Sequence, residues 1–171
     1  MRGKAKKYVF RGYEKRFPAF FTYEKKRLRR ILPTALIEHF GSSAVPNLGG
    51  KGIVDVMVSV PKGAVLSSLR KLIAQGYEYT GTGGSKDREF LARTIISGGQ
   101  ERQVHIHLTH SGSYVGRAAV AVRDYLRRDK EETMEYAKLK RLAVRKAQDS
   151  GKKYRKMKKD FLDQIERKAL G

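Results

Sequence analysis

The stretch most able to do chemistry runs Glu38-His39-Phe40-Gly41-Ser42-Ser43, through Val45-Pro46-Asn47-Leu48, to Lys51 and Asp55. Gly41 permits a tight backbone turn, and the Ser42 and Ser43 hydroxyls with the local N–H groups can hold a phosphate. Lys51 adds a cation, and Asp55 could hold Mg²⁺ against the same phosphates. Together these residues outline a phosphoryl or nucleotidyl site. A Gly-Ser-Ser turn and a strand acid are each commonplace, however, so their spacing alone does not separate this chemistry from a solvated turn.

His105 and His107 stand two apart and share one strand face. Their imidazoles could ligate a borderline metal, bind phosphate when protonated or transfer protons. In the plainer alternative one packs and the other hydrogen-bonds near a strand end. His39 reads as structural, held behind the turn. Arg88 and Arg93 flank a strand beside the expected cleft, where a guanidinium can grip phosphate with two N–H groups; plain surface charge is the alternative. Gly81-Thr82-Gly83-Gly84-Ser85 is a loop without the GxGxxG spacing of a phosphate cradle.

Several ordered blocks resemble the GrpB family, a branch of the nucleotidyltransferase superfamily. They are His39-Phe40-Gly41-Ser42-Ser43-Ala44-Val45-Pro46-Asn47-Leu48, Lys51-Gly52-Ile53-Val54-Asp55, Arg88-Glu89-Phe90 and Val104-His105-Ile106-His107-Leu108. Val122-Arg123-Asp124-Tyr125-Leu126-Arg127 and Tyr136-Ala137-Lys138-Leu139-Lys140 complete the match, which spans residues 13–168. The resemblance implies a nucleotidyltransferase-like fold with one cleft for a nucleotide or phosphorylated ligand. Gly41, Ser42, Ser43, Lys51, Arg88, Arg93 and Arg123 would bind phosphate; Asp55, His105 and His107 would be catalytic. A divalent metal, Mg²⁺ or Mn²⁺, would be held by Asp55 and His107. The superfamily reaction is a metal-dependent nucleotidyl transfer that uses Asp-x-Asp plus a third carboxylate on a neighbouring strand, with two metals clamping the attacking and leaving oxygens. Here Met57 stands where the second acid would be, and a thioether is a poor Mg²⁺ ligand.

The chain has 38 Lys plus Arg against 17 Asp plus Glu, a net charge of +21. Residues 1–40 hold 12 basic and 3 acidic groups and residues 111–171 hold 18 and 9, so the excess lies at the two ends. Such a charge recruits polyanions. The alternative function is therefore a noncatalytic RNA-binding module with a degenerate cleft, using Lys152, Lys153, Arg155, Lys156, Lys158 and Lys159. Tyr154, Met157, Phe161 and Ile165 in the same segment recur at helical spacing and are expected in the core.

These groups must be positioned by an α+β fold: a short mixed sheet backed by helices, with a C-terminal helical layer. Apolar periodicity predicts helices over 20–32, 64–75, 131–147 and 152–169, with another beginning after Gly112. Strands are expected at 36–40, 53–60, 90–96 and 103–109, the last two around Gly98-Gly99. At 171 residues one unit is expected over 1–171, with a basic segment 1–12 and a helical part 113–171. The absence of Cys excludes disulfides, thiol nucleophiles and thiolate zinc sites. With neither a secretory apolar stretch nor an insertion helix, a cytoplasmic protein is expected.

Overall fold

Alternation in one strand divides the molecule into two faces. The computed structural model describes residues 9–148 and 150–171, so residues 1–8 of the basic segment 1–12 lie outside it. Strand β2 (Val54–Val60) turns Val54, Val56, Val58 and Val60 to one side of the sheet, where all four are buried. Asp55 and Met57 therefore face the opposite side. β2 pairs antiparallel with β1 (Leu36–Phe40) and parallel with β5 (Gln100–His110). β5 continues antiparallel to β4 (Glu89–Ser97), and the two-residue β3 (Glu78–Tyr79) closes the order β1-β2-β5-β4-β3. The sheet is mixed, as expected for this α+β, nucleotidyltransferase-like class.

Two helices cover the valine face: α1 (Phe17–Ile31) and α2 (Val65–Ala74). Phe17, Phe20 and Leu28 of α1 and Leu69 and Leu72 of α2 join Val56, Val58, Leu91, Ile106 and Leu108 in one core. α1 starts three residues before the pattern predicts, because Pro18 sits in the first turn, where a missing N–H leaves no bond unmade.

The C-terminal layer comprises α3 (Tyr114–Arg128), α4 (Lys130–Ala147) and α5 (Gly151–Leu170). Each begins at a side chain that accepts from a first-turn N–H: Ser113 from Gly116, Asp129 from Glu132 and Ser150 from Lys153. Such caps are worth about 1 kcal/mol each. Val45 and Leu48, from the loop after β1, pack with Leu126, Tyr136, Ala137 and Ile165 of these helices. Ala143, Ala147 and Tyr154 form a smaller cluster alongside. The expected α5 stripe is present: Tyr154 and Ile165 are buried, and Met157 and Phe161 pack against those clusters. Among the described residues no helix is long and apolar enough to cross a membrane.

Arg93 corrects one expectation. It pairs in register with Val104, on the α1/α2 face, because it lies an even number of residues from the buried Leu91 and Ile95. Its guanidinium lies 5.2 Å from the Tyr77 ring centroid, and Nη1 donates to the Gln75 carbonyl at 2.8 Å. The Tyr77 hydroxyl in turn donates to Glu24, which is fully buried. Burial raises the Glu24 carboxyl above its ordinary range, against the pull of the Tyr77 hydrogen bond and of Arg93 and Arg27. Arg93 thus ties the end of α2 and, through Tyr77, α1 to the sheet rather than reaching the cleft.

Tyr77→Phe removes the donor and leaves a buried carboxyl short of a partner, at a cost of about 1–3 kcal/mol. Because that donor favours the ionised form, the loss is expected to be larger at pH 8 than at pH 4. Denaturant midpoints at the two pH values check this; an equal loss at both would show that Glu24 stays protonated throughout.

Candidate functional site

Parallel pairing sets Asp55 beside His105 and Met57 beside His107. Asp55 Oδ1 lies 3.6 Å from His105 Nδ1 and 3.4 Å from His107 Nε2. Phe90 meets both imidazoles edge to face at 4.8 and 4.9 Å, and Phe40 meets His107 at 4.7 Å. Burial pushes the Asp55 carboxyl up, but hydrogen bonds from the two histidines and their charge outweigh it and hold the carboxyl well below the usual range. Burial lowers His107 despite Asp55, so it is neutral near pH 7. With Nε2–H donating to Asp55, the Nδ1 lone pair is left buried and without a partner.

The turn after β1 comes down onto this group. Gly41 has φ +70°, and a Cβ there would lie 2.6 Å from Asp55 Oδ2. A Cβ on Gly50 would lie 2.6 Å from Ser42 Oγ and 3.2 Å from Lys140 Nζ, so both groups approach that glycine. The two serines divide at the sheet edge. Ser42 lines the cleft over Asp55, whereas Ser43 is hydrogen-bonded to His39 Nε2 at 2.9 Å and lines a second cavity on the α1 side. Ser43 is therefore not brought to the Asp55 cleft, because His39 shares the register face of Val56 and holds its hydroxyl there. His39 stacks on Phe21 at 4.8 Å, and burial lowers its pKa to about 4.

The cleft encloses about 880 Å³ between the sheet, the turn and the C-terminal helices. Lys140 of α4 is 3% exposed, donates to the Gly49 carbonyl at 2.8 Å and lies 4.7 Å from the Tyr136 ring centroid. Lys158 of α5 and Lys51 approach the Tyr154 ring at 4.4 and 5.2 Å. Burial, then neighbouring Lys158, lowers Lys140 well below an ordinary lysine; burial and Lys51 bring Lys158 to about 8. Spacing arguments assign Lys140 no role. Its signal in the sequence is a lysine set in the otherwise buried α4 stripe of Thr133, Tyr136, Ala137, Ala143 and Ala147.

Arg88 lines the cleft and also donates to the Gly83 carbonyl at 2.6 Å, fixing the glycine-rich loop. Arg123 reaches the cleft wall with its donors engaged, which corrects its phosphate assignment. It donates to Glu38 at 2.6 Å, to the His39 carbonyl at 2.8 Å and to both Asp124 oxygens at 2.8 and 3.2 Å. It ties β1 to α3. Lys152, Arg155, Lys156, Lys158 and Lys159 line the same cleft, and Lys153 does not. Lys159 is paired with Asp163.

A Mg²⁺ or Mn²⁺ centre does not fit these residues. Met57 is 2% exposed beside His107, where a second carboxylate would be needed. Among the described residues no cluster of three or more His, Cys, Asp and Glu side chains is arranged to hold a metal ion.

Residues 9–168 match the family profile described as GrpB protein. The chain belongs to the GrpB family. It is 28% identical over 160 residues to YqkA of Bacillus subtilis, covering 92% of this chain but spanning less than half, 46%, of that relative's length. It is 27% identical over 152 residues to the glutamate-rich protein GrpB of Alkalihalophilus pseudofirmus, covering 85% of this chain and 86% of that one. The crystal structure of GrpB from Enterococcus faecalis superimposes with a TM-score of 0.80 at 30% identity, over 95% of this chain and 97% of that one. A Cid1 poly(U) polymerase structure superimposes at 0.51 with 20% identity, over 80% of this chain and 43% of that one. That likeness shows the nucleotidyltransferase fold alone.

His39 and His107 are both depressed, so each contributes stability that is full above about pH 6.5 and is lost as pH falls through its folded pKa, which for His39 is about 4. For His39 the loss is on the order of 3 kcal/mol. His39→Gln, which keeps a group able to bond Ser43, is expected to flatten the fall in Tm between pH 6.5 and 4. An unchanged slope would place the acid sensitivity elsewhere.

Proposed function

We propose that this GrpB-family protein binds a nucleotide or another phosphorylated ligand in the cleft above Asp55. One observation carries this: the close turns at Gly41 and Gly50 set the Ser42 hydroxyl and the buried Lys140 Nζ into the lining of one cleft with Asp55. That arrangement offers a hydroxyl donor, backbone N–H groups and cations to a phosphate. Lys51, Lys158 and Arg88 add to it. In any group transfer that follows binding, Asp55 with His105 and His107 handles the proton, since Asp55 stays ionised and His107 is neutral near pH 7.

The second reading is a single-stranded RNA end entering the same cleft. The position of Lys152, Arg155, Lys156 and Lys159 along its lining favours it. Such binding would weaken steeply with salt.

Thermal shift against nucleoside di- and triphosphates, phosphorylated sugars and short RNA, each at two salt concentrations and with and without Mg²⁺, tests both readings. A small phosphorylated ligand is expected to raise Tm, by about 2.7 kcal/mol of stabilisation at 100 times its Kd. Gly50→Ala, whose methyl displaces Ser42 Oγ and Lys140 Nζ, is expected to lose most of that shift while Arg93→Ala retains it. No shift with any small ligand, or an undiminished shift in Gly50→Ala, overturns the proposal; salt-sensitive stabilisation by RNA alone favours the second reading.

A further inference from the structure

We propose that the cleft takes its ligand as a metal-free polyphosphate, with Lys51, Lys140 and Lys158 supplying the positive charge that divalent metal ions supply in other nucleotidyltransferase-fold sites. The inference rests on the phosphorylated-ligand reading and narrows it to a di- or triphosphate group, whether borne by a nucleoside or free.

Three separate elements deliver the lysines: the loop before β2, α4 and α5. All three line the cleft with Asp55, and Lys51 and Lys158 approach the same Tyr154 ring, at 5.2 and 4.4 Å. Tyr136 and Tyr154 back the ammonium groups with ring faces, which steers them without neutralising them. Among the described residues neither Lys140 nor Lys158 has a carboxylate within ion-pair distance. Asp163 and Glu166 also line the cleft, but the first pairs with Lys159 and the second accepts from the Tyr114 hydroxyl.

A buried ammonium with no carboxylate at ion-pair distance is costly to the fold. Lys140 is nevertheless held in place by the Gly49 carbonyl and packed at 3% exposure in the cleft that Ser42 also lines. An incoming polyanion relieves the mutual repulsion of the lysines. A divalent cation meets the reverse: one carboxylate, two imidazoles, a buried thioether and nearby ammonium groups that repel it. Met57 in place of an acid thus belongs with the lysines as one exchange, protein cations supplying the charge that carboxylate-held metal ions would.

Calorimetric titration with sodium tripolyphosphate, first in EDTA and then in excess Mg²⁺, tests this on the full chain. Binding is expected in EDTA and to weaken in Mg²⁺, which lowers the charge of the ligand. Lys140→Met and Lys158→Met are each expected to weaken it at least about tenfold. Lys140→Met should also melt at or above the wild-type temperature, since it replaces a buried charge with a chain of similar length. Asp55→Asn should still bind in EDTA, because the lysines rather than a metal held by Asp55 meet the phosphate charge. Binding that requires Mg²⁺ or Mn²⁺ and disappears in Asp55→Asn overturns the inference while leaving the phosphorylated-ligand reading intact. Binding in EDTA that survives both lysine substitutions but is lost in Lys152→Gln/Lys156→Gln also overturns it, as rim electrostatics only. No binding under either condition, with no nucleotide shift, removes both.

Discussion

The parallel pairing of β2 with β5 is the constraint on which the site depends. It places Asp55 and His107 on adjacent strands, two residues out of step, so that one carboxylate oxygen lies between two imidazoles. Because strand side chains alternate, the same pairing sends Val54, Val56 and Val58 with Val104, Ile106 and Leu108 into the apolar core beneath α1 and α2. A slip of one residue would bury the acid among valines and expose the core, so the hydrophobic face enforces the register of the polar one.

The second requirement is a lid of helices over the polar face. Val45 and Leu48 anchor the turn after β1 into the α3–α5 layer, which carries Gly41 against Asp55 and Gly50 against Ser42. Arg123 and Arg127 reinforce the seam, one through Glu38, Asp124 and the His39 carbonyl, the other through the Ala44 carbonyl. Their charge is engaged by these partners, and it orients the turn that descends onto Asp55. The excess of positive charge in the cleft comes instead from Lys51, α4 and α5. The fold tolerates it because hydrogen bonds, aromatic faces and lowered proton affinity share the cost of burying lysine.

The division at the sheet edge explains why neighbouring residues have different roles. Ser42 and Ser43 are adjacent, yet one hydroxyl faces the cleft and the other bonds His39 on the α1 side. Arg88 and Arg93 lie on one strand region, yet the odd spacing sends Arg93 under α1. The basic run of α5 divides likewise, since Lys153 points away while Lys158 sits over Tyr154.

Much of this was legible in the residues. Strict alternation over 53–60 marked β2 and the acid on its polar face, the spacing of His105 and His107 put them on one face of β5, and the ordered blocks around Gly41 and Asp55 carried the family. Those features are local, and period-two and period-3.6 patterns report burial directly. The sequence by itself therefore determined the elements, their buried faces and the Asp55-centred group. Only the tertiary structure decided which cations reach that group. Lys51, Lys140 and Lys158 lie far apart in the chain, and whether a basic residue faces a cleft, a carbonyl or solvent depends on how helices dock, which no local periodicity encodes.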